Sequence, residues 1–218
     1  MSHFRKILLI LLFTSLLLPT AGCMIEVLPE GIEEKIHQEI DNKQYDEALA
    51  DLEKMEKFAA VVNMGWVYGE RGYIFFAQGK YEAAIEELSK AIQIEPDGSG
   101  YRNRGFAYMK LGRYSEAEAD YLASIELEPD NSRAYEEIAG FYFNTLKFDD
   151  ALLDIQKAIE LAPSEARLYL IKADIRVRML DPDTDSIILD LKQALELQPN
   201  EEDKQEAIMR LKLFGVEP

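Results

Sequence analysis

The sequence predicts an all-α fold: a solenoid of about five stacked antiparallel helix pairs, closed by a capping helix at the carboxyl end. Three observations predict it. The segments QGKYEAAIEELSKAIQIEPD (78–97), LGRYSEAEADYLASIELEPD (111–130) and TLKFDDALLDIQKAIELAPS (145–164) align in register, and Pro96, Pro129, Pro163 and Pro199 fall 33, 34 and 36 residues apart. Each unit carries two apolar stripes at three- and four-residue spacing, the pattern of amphipathic helices. A short turn separates the stripes at Gly79, Gly112 and the equivalent Leu146, and so short a link makes the two helices antiparallel neighbours.

Taken in chain order, the first unit (about 29–62) is built around Tyr45, Ala48 and Leu52. It lacks the closing proline, has Ala60 near that place, and is followed by an insertion at Val61 to Met64, so it is expected to act as a divergent amino-terminal cap. The next three units (about 65–98, 98–131 and 132–165) carry the pattern most strongly. Gly72, Gly105 and Ala139 remove bulk where the first helix approaches its neighbour, and Ala84, Ala117 and Ala151 do so on the second. Tyr81, Tyr114 and Phe148 are expected to fill the adjoining space. Each proline closes a unit because it cannot donate an in-helix hydrogen bond, and Asp130, Asn131 and Ser132 are natural caps for the helix that follows. The last unit (about 166–201) holds the insertion LDPDTDS (180–186), then returns to register at Leu191, Ala194 and Pro199. Glu201 to Leu213 reads as an amphipathic helix with Ala207, Ile208, Leu211 and Phe214 on one side, which makes 202–218 a capping helix and tail.

The spacing of Tyr101, Gly105, Tyr108, Gly112, Tyr114, Ala117, Tyr121 and Pro129 resembles that of the tetratricopeptide repeat. The resemblance covers nearly all of 29–201 and is strongest over 65–165. It implies a right-handed superhelix whose first helices line a concave groove, and a role in binding segments of other proteins. Groove positions carried over residue by residue are Trp66, Tyr73 and Phe76, then Arg102, Phe106, Met109 and Lys110, then Arg133, Gly140, Phe143 and Asn144, then Arg167, Leu170 and Arg178. This set is aromatic at one end and cationic at the other. The lysine, asparagine and arginine clamp that some relatives use for acidic chaperone tails is matched only at Asn103 and Arg133, with Gly69, Tyr73 and Glu137 at the other places, so that clamp is not expected.

The amino terminus carries a different signal. Arg5 and Lys6 precede an apolar run from Ile7 to Leu18, and small residues lead to Cys23. This is the three-part pattern of an export signal over 1–22. Twelve helical residues span roughly 18 Å, short of a ~30 Å hydrocarbon core, which argues against a permanent span. Thr20-Ala21-Gly22-Cys23 resembles the lipobox of bacterial lipoproteins, with Thr20 where leucine is commonest. That resemblance implies acylation of Cys23, a lipidated linker over 23–28, and a protein tethered in the bacterial envelope. Met24 rather than aspartate after Cys23 implies the outer membrane, facing the periplasm.

Composition narrows the chemistry. The formal charge is −17, and removing the first 22 residues takes away Arg5 and Lys6 but no acid. So acidic a surface repels polyphosphates and anionic head groups, which speaks against nucleic acid as a partner. A single cysteine excludes an internal disulfide and any Cys-x-x-Cys site. His37, the one histidine outside the amino-terminal segment, lies within a turn of Glu33 and Asp41 and is expected in an exposed helical salt bridge. Asp181, Asp183 and Asp185 imitate the start of a calcium loop, but Ser186 stands where glycine is needed and Lys192 where the bidentate glutamate belongs, so a capped turn is the better reading. Gly98-Ser99-Gly100 is too short for a phosphate loop and is expected in an inter-repeat turn. Neither catalysis, nor a cofactor, metal or small-molecule substrate is expected. The function expected is a lipid-anchored adaptor whose groove receives a peptide or helical segment of another envelope protein, for example in pilus or secretion assembly, and the alternative is a soluble exported chaperone or secretion factor.

Overall fold

The computed structural model describes residues 28–217. Among them are eleven helices and no strand: α1 (Ile32–Asp41), α2 (Tyr45–Glu56), α3 (Met64–Ala77), α4 (Tyr81–Ile94), α5 (Gly98–Lys110), α6 (Tyr114–Leu127), α7 (Ser132–Asn144), α8 (Phe148–Leu161), α9 (Ala166–Val177), α10 (Thr184–Glu196) and α11 (Glu201–Leu213). They form the five expected hairpins, α1–α2 to α9–α10, with α11 as the terminal cap. None is long and apolar enough to cross a membrane. Cys23 and the export pattern lie outside the described residues.

The two kinds of connection in this fold are made differently. Within four hairpins, one residue adopts a left-handed conformation: Lys43, Gly79, Gly112 and Leu146, with φ of 60°, 74°, 72° and 62°. The next amide then reaches back across the helix end, as from Lys80 to the Phe75 carbonyl (2.8 Å) and from Arg113 to that of Tyr108 (2.9 Å). This closure satisfies carbonyls that the helix leaves unpaired. Glycine takes the conformation without strain, whereas Leu146 does so against its Cβ. Between hairpins, side chains cap the incoming helix. Asn63, Asp97, Asn131 and Asn200 accept from amides of the first turns of α3, α5, α7 and α11, and within the fifth hairpin Asp183 caps α10 in the same way. The insertion at 180–186 is thus the capped turn expected, with Asp183 accepting from the Ser186 amide at 3.3 Å. Gly98-Ser99-Gly100, expected in a turn, instead forms the first turn of α5, because the Asp97 cap starts the helix there.

Apolar packing runs continuously through the stack. Ile32, Ile36, Leu52, Met55, Val67 and Ile74 join the first hairpin to α3. Ala84, Leu88 and Ala107 join the second to the third. The largest group, with Tyr121, Ile138, Phe141, Ile155 and Ile175, links the third, fourth and fifth hairpins. Ala207 and Leu211 seal the last against Ile187 and Leu191. Since each hairpin buries its stripes against its neighbours, stability resides in the stack. Tyr114, expected to fill space between helices, is half-exposed, whereas Tyr81 and Phe148 are half-buried as expected.

Candidate functional site

The first helices α3, α5 and α7 touch in succession as well as packing on their own partners, and the His37–Glu70 and Arg167–Glu136 contacts join α1 and α9 to the ends of that wall. On α3 the residues Trp66, Gly69, Glu70 and Tyr73 recur at three- and four-residue intervals and share one face of the helix. Gly69 leaves that face open, since a Cβ there would meet nothing within 4 Å. With Asn63, the end of α4 (Ala91, Glu95) and the start of α5 (Asp97, Ser99, Gly100, Asn103), these residues line a cleft of ≈ 290 Å³.

Glu70 is the carboxylate set deepest in this cleft. Burial pushes its pKa up, opposed by the neighbouring His37. The His37 Nε2 lies 3.5 Å from the Glu70 Oε1, and its ring stands edge-on to Trp66 with centroids 5.5 Å apart. His37 therefore faces across to α3, where it was expected to stay with Glu33 and Asp41 of its own helix; the placement of Trp66 and Glu70 beside it decides this, which no pattern within α1 reveals. Glu95 accepts from the Asn63 Nδ2 at 3.3 Å, and Asp97 accepts from the Gly100 amide.

The remaining groove residues divide into exposed and packed groups. Tyr73 is 43% exposed, and Lys110 and Asn144 stand at the solvent ends of α5 and α7, where Asn144 donates to the Gly140 carbonyl at 2.7 Å. Phe76 meets Tyr81 and Phe106 (centroids 5.6 and 6.3 Å), and Phe106 stands edge-on to the buried Tyr121 at 5.6 Å. Met109 and Phe143 pack at the margin of the same core, Phe143 against Phe148 at 5.9 Å. Leu170 is fully within the last core.

The arginines are engaged within the chain. Arg102, expected as an open groove cation, is only 9% exposed, its guanidinium reaching Glu128 (2.7 Å) and Glu137 (3.0 Å). Arg133 also pairs with Glu137 at 2.8 Å, though its side chain stays 75% exposed. Arg167 takes Glu136 at 2.6 Å, and Arg178 lies over the Phe143 ring at 5.7 Å. A second, smaller cleft of ≈ 190 Å³ lies between Arg133 and Arg167, lined also by Glu136, Glu165 and Leu168. At Arg102, Arg133 and Arg167 the expected cationic end is thus internally neutralised, because α7 carries Glu136 and Glu137 facing these arginines. Glu70 was not among the candidates; its signal was a carboxylate four residues after Trp66 and three before Tyr73, on their face.

A model described as TPR repeat matches residues 72–112, and one described as tetratricopeptide repeat matches 99–131. Among solved structures, MamA 41-end from Desulfovibrio magneticus RS-1 superimposes with a TM-score of 0.65 at 18% identity, over 80% of this chain and 99% of that one. Another MamA crystal structure gives 0.64 at 20% identity, over 78% and 96%. YrrB, described as a TPR protein with an unusual peptide-binding site, gives 0.60 at 18% identity, over 84% and 97%. At such identities the likeness is one of fold. No curated protein matches the chain.

Proposed function

We propose that this chain, which carries tetratricopeptide repeats, is a non-enzymatic scaffold that receives a segment of another protein along the wall of its first helices, and that Cys23 tethers it by lipid in the bacterial envelope. The observation that carries the binding role is the α3–α5 cleft. It places the exposed Tyr73 and the half-buried Trp66, which also packs against the first core, along a concave surface, and large aromatic side chains of this kind dominate interface energetics. The arginines of α7 and α9 orient rather than anchor a partner, since their charge is already met by Glu136 and Glu137.

Support for the tether is the sequence alone: the cations, the apolar run and Ala21-Gly22-Cys23. A fatty-acid analogue supplied to a bacterial host should label the wild type, and Cys23→Ser should lose both the label and membrane association. An unlabelled, soluble wild type would favour the exported chaperone. For the groove, a photo-crosslinking amino acid in place of Tyr73 should capture a partner in intact envelopes, and the same group in place of Glu86, on the outer α4, should not. Capture from Glu86 alone would move the binding surface to the convex side.

A further inference from the structure

The geometry of the α3–α5 cleft points to a particular occupant: the cationic side chain, lysine or arginine, of an extended segment of the partner protein. This rests on the groove reading above and assigns it a chemistry.

Three carboxylates, Glu70, Glu95 and Asp97, line the cleft, and no lysine or arginine does. Asp97 is committed to capping α5 and Glu95 is held by Asn63, so both sit at fixed places on the rim. Glu70 has only His37 beside it, a group that is charged only when protonated. A carboxylate that burial already disfavours gains most from an opposite charge brought to it. Trp66 and Tyr73 stand one turn to either side of Glu70, and Gly69 leaves the space between them clear. Aromatic faces around a carboxylate suit a cation, which they attract through the ring quadrupole while the acid supplies the counter-charge. At ≈ 290 Å³ the cleft lies at the lower edge of the roughly 300–1,000 Å³ of small-molecule sites, a size for one inserted side chain. Ser99 and Asn103 on the walls offer hydrogen bonds to the backbone that carries it.

The other end of the groove strengthens the assignment by contrast. A carboxylate arriving at Arg133 or Arg167 would have to displace Glu137 or Glu136, exchanging one ion pair for another. A cation arriving at Glu70 displaces at most a weak histidine contact.

The test uses the full chain and fluorescein-labelled ten-residue peptides of Gly, Ser and Ala with two flanking Phe, identical except for a central Lys, Arg, norleucine or Glu, read by anisotropy at 0.15 M salt. The Lys and Arg peptides should bind about tenfold or more tightly than the norleucine peptide. Glu70→Gln, which keeps the shape of the side chain, should remove that preference, Glu95→Gln should reduce it, and Glu82→Gln, on the outer helix, should leave it within about twofold. Norleucine bound as tightly as Lys, or Glu82→Gln as costly as Glu70→Gln, would overturn the assignment. If a peptide binds and is lost in Tyr73→Ala but is indifferent to Glu70→Gln, the groove stands and the cation subsite falls. If no peptide responds to either variant, both fall together.

Discussion

Arg104 on α5 closes a two-pronged contact on Asp120 of α6, with Nε and Nη2 each 2.8 Å from a carboxylate oxygen, across sixteen residues of chain. The same spacing joins Lys35 to Asp51 and Arg71 to Glu87, and in the last hairpin, lengthened by its insertion, Lys172 and Arg176 share Asp190. Most of these cations also reach the preceding hairpin: Arg71 bonds Glu56 (3.0 Å), Arg104 the Ser89 hydroxyl (3.0 Å) and Lys172 the Gln156 amide oxygen (2.8 Å). One side chain therefore fastens two helices of its own hairpin and one of its neighbour.

Asp120→Ala should destabilise the protein by about 2 to 4 kcal/mol in urea unfolding, because it strands a half-buried guanidinium whose acid partner is 5% exposed. Glu116→Ala, which removes the exposed partner of Arg113, should leave the unfolding midpoint unchanged.

The fourth hairpin breaks the series. Ile138 stands sixteen residues before Asp154, where the others have a cation, and among the described residues no lysine or arginine pairs with Asp154. Burial, with the nearby Asp150 adding to it, pushes the Asp154 carboxyl up to about 6. An acid whose folded-state pKa is raised favours the folded state below its unfolded value near 3.8 and loses that contribution as pH climbs through about 6. Asp154→Asn should accordingly be more stable than wild type by roughly 1 to 2 kcal/mol at pH 7.5, the full shift being discounted for partial solvation, and equal to it near pH 3.5. Parallel urea titrations at the two pH values measure the difference directly.

Gly72 and Gly105 hold equivalent places in successive hairpins yet tolerate different changes. A Cβ on Gly72 would fall 2.6 Å from the Leu88 Cγ and 3.2 Å from its backbone nitrogen, whereas one on Gly105 would meet its neighbours at 3.4 Å. Gly72→Ala should cost about 1 to 3 kcal/mol. Gly105→Ala should be neutral or slightly stabilising through helix propensity, and Gly105→Leu strongly destabilising. Thermal melts of the three variants rank them.

Tyr73 and Phe106 separate binding from packing. Tyr73→Ala should change stability by less than about 0.5 kcal/mol and weaken a captured partner, whereas Phe106→Ala should cost about 2 to 3 kcal/mol through its contacts with Phe76 and Tyr121. Calorimetry for stability and anisotropy for binding distinguish the two.

The hairpins were legible because glycine, alanine and proline at a fixed period leave few alternatives, and helix α11 because Ala207 and Leu211 repeat on one face. The groove was legible as a set of positions but not as a charge distribution. Arg102 looks like any surface cation until α7 brings Glu137 against it, and Phe106 looks like a groove aromatic until Tyr121 packs beneath its ring. The ion pairs between helices could have been found: a cation in the first helix and an acid sixteen residues on recur at 35/51, 71/87 and 104/120. Their partners in preceding hairpins could not, since Glu56, Ser89 and Gln156 share no residue type.

These bridges also guard the order of assembly. Like repeats can dock on the wrong neighbour, a characteristic failure of such chains. The residues fifteen and sixteen before Ile138 are Ala123 and Leu122, so the apolar substitution on α7 is matched by apolar residues on α6. If α9 skipped the fourth hairpin and settled on α6, Lys172 would reach Leu122 or Ala123 in place of Gln156, and its ammonium would lose an acceptor. If α7 settled on α4, Ile138 would lie where Arg104 now meets Ser89. The fourth and fifth hairpins thereby discriminate against docking out of turn, and a stack in which α7 or α9 skips its predecessor is penalised at the joint where the order is broken.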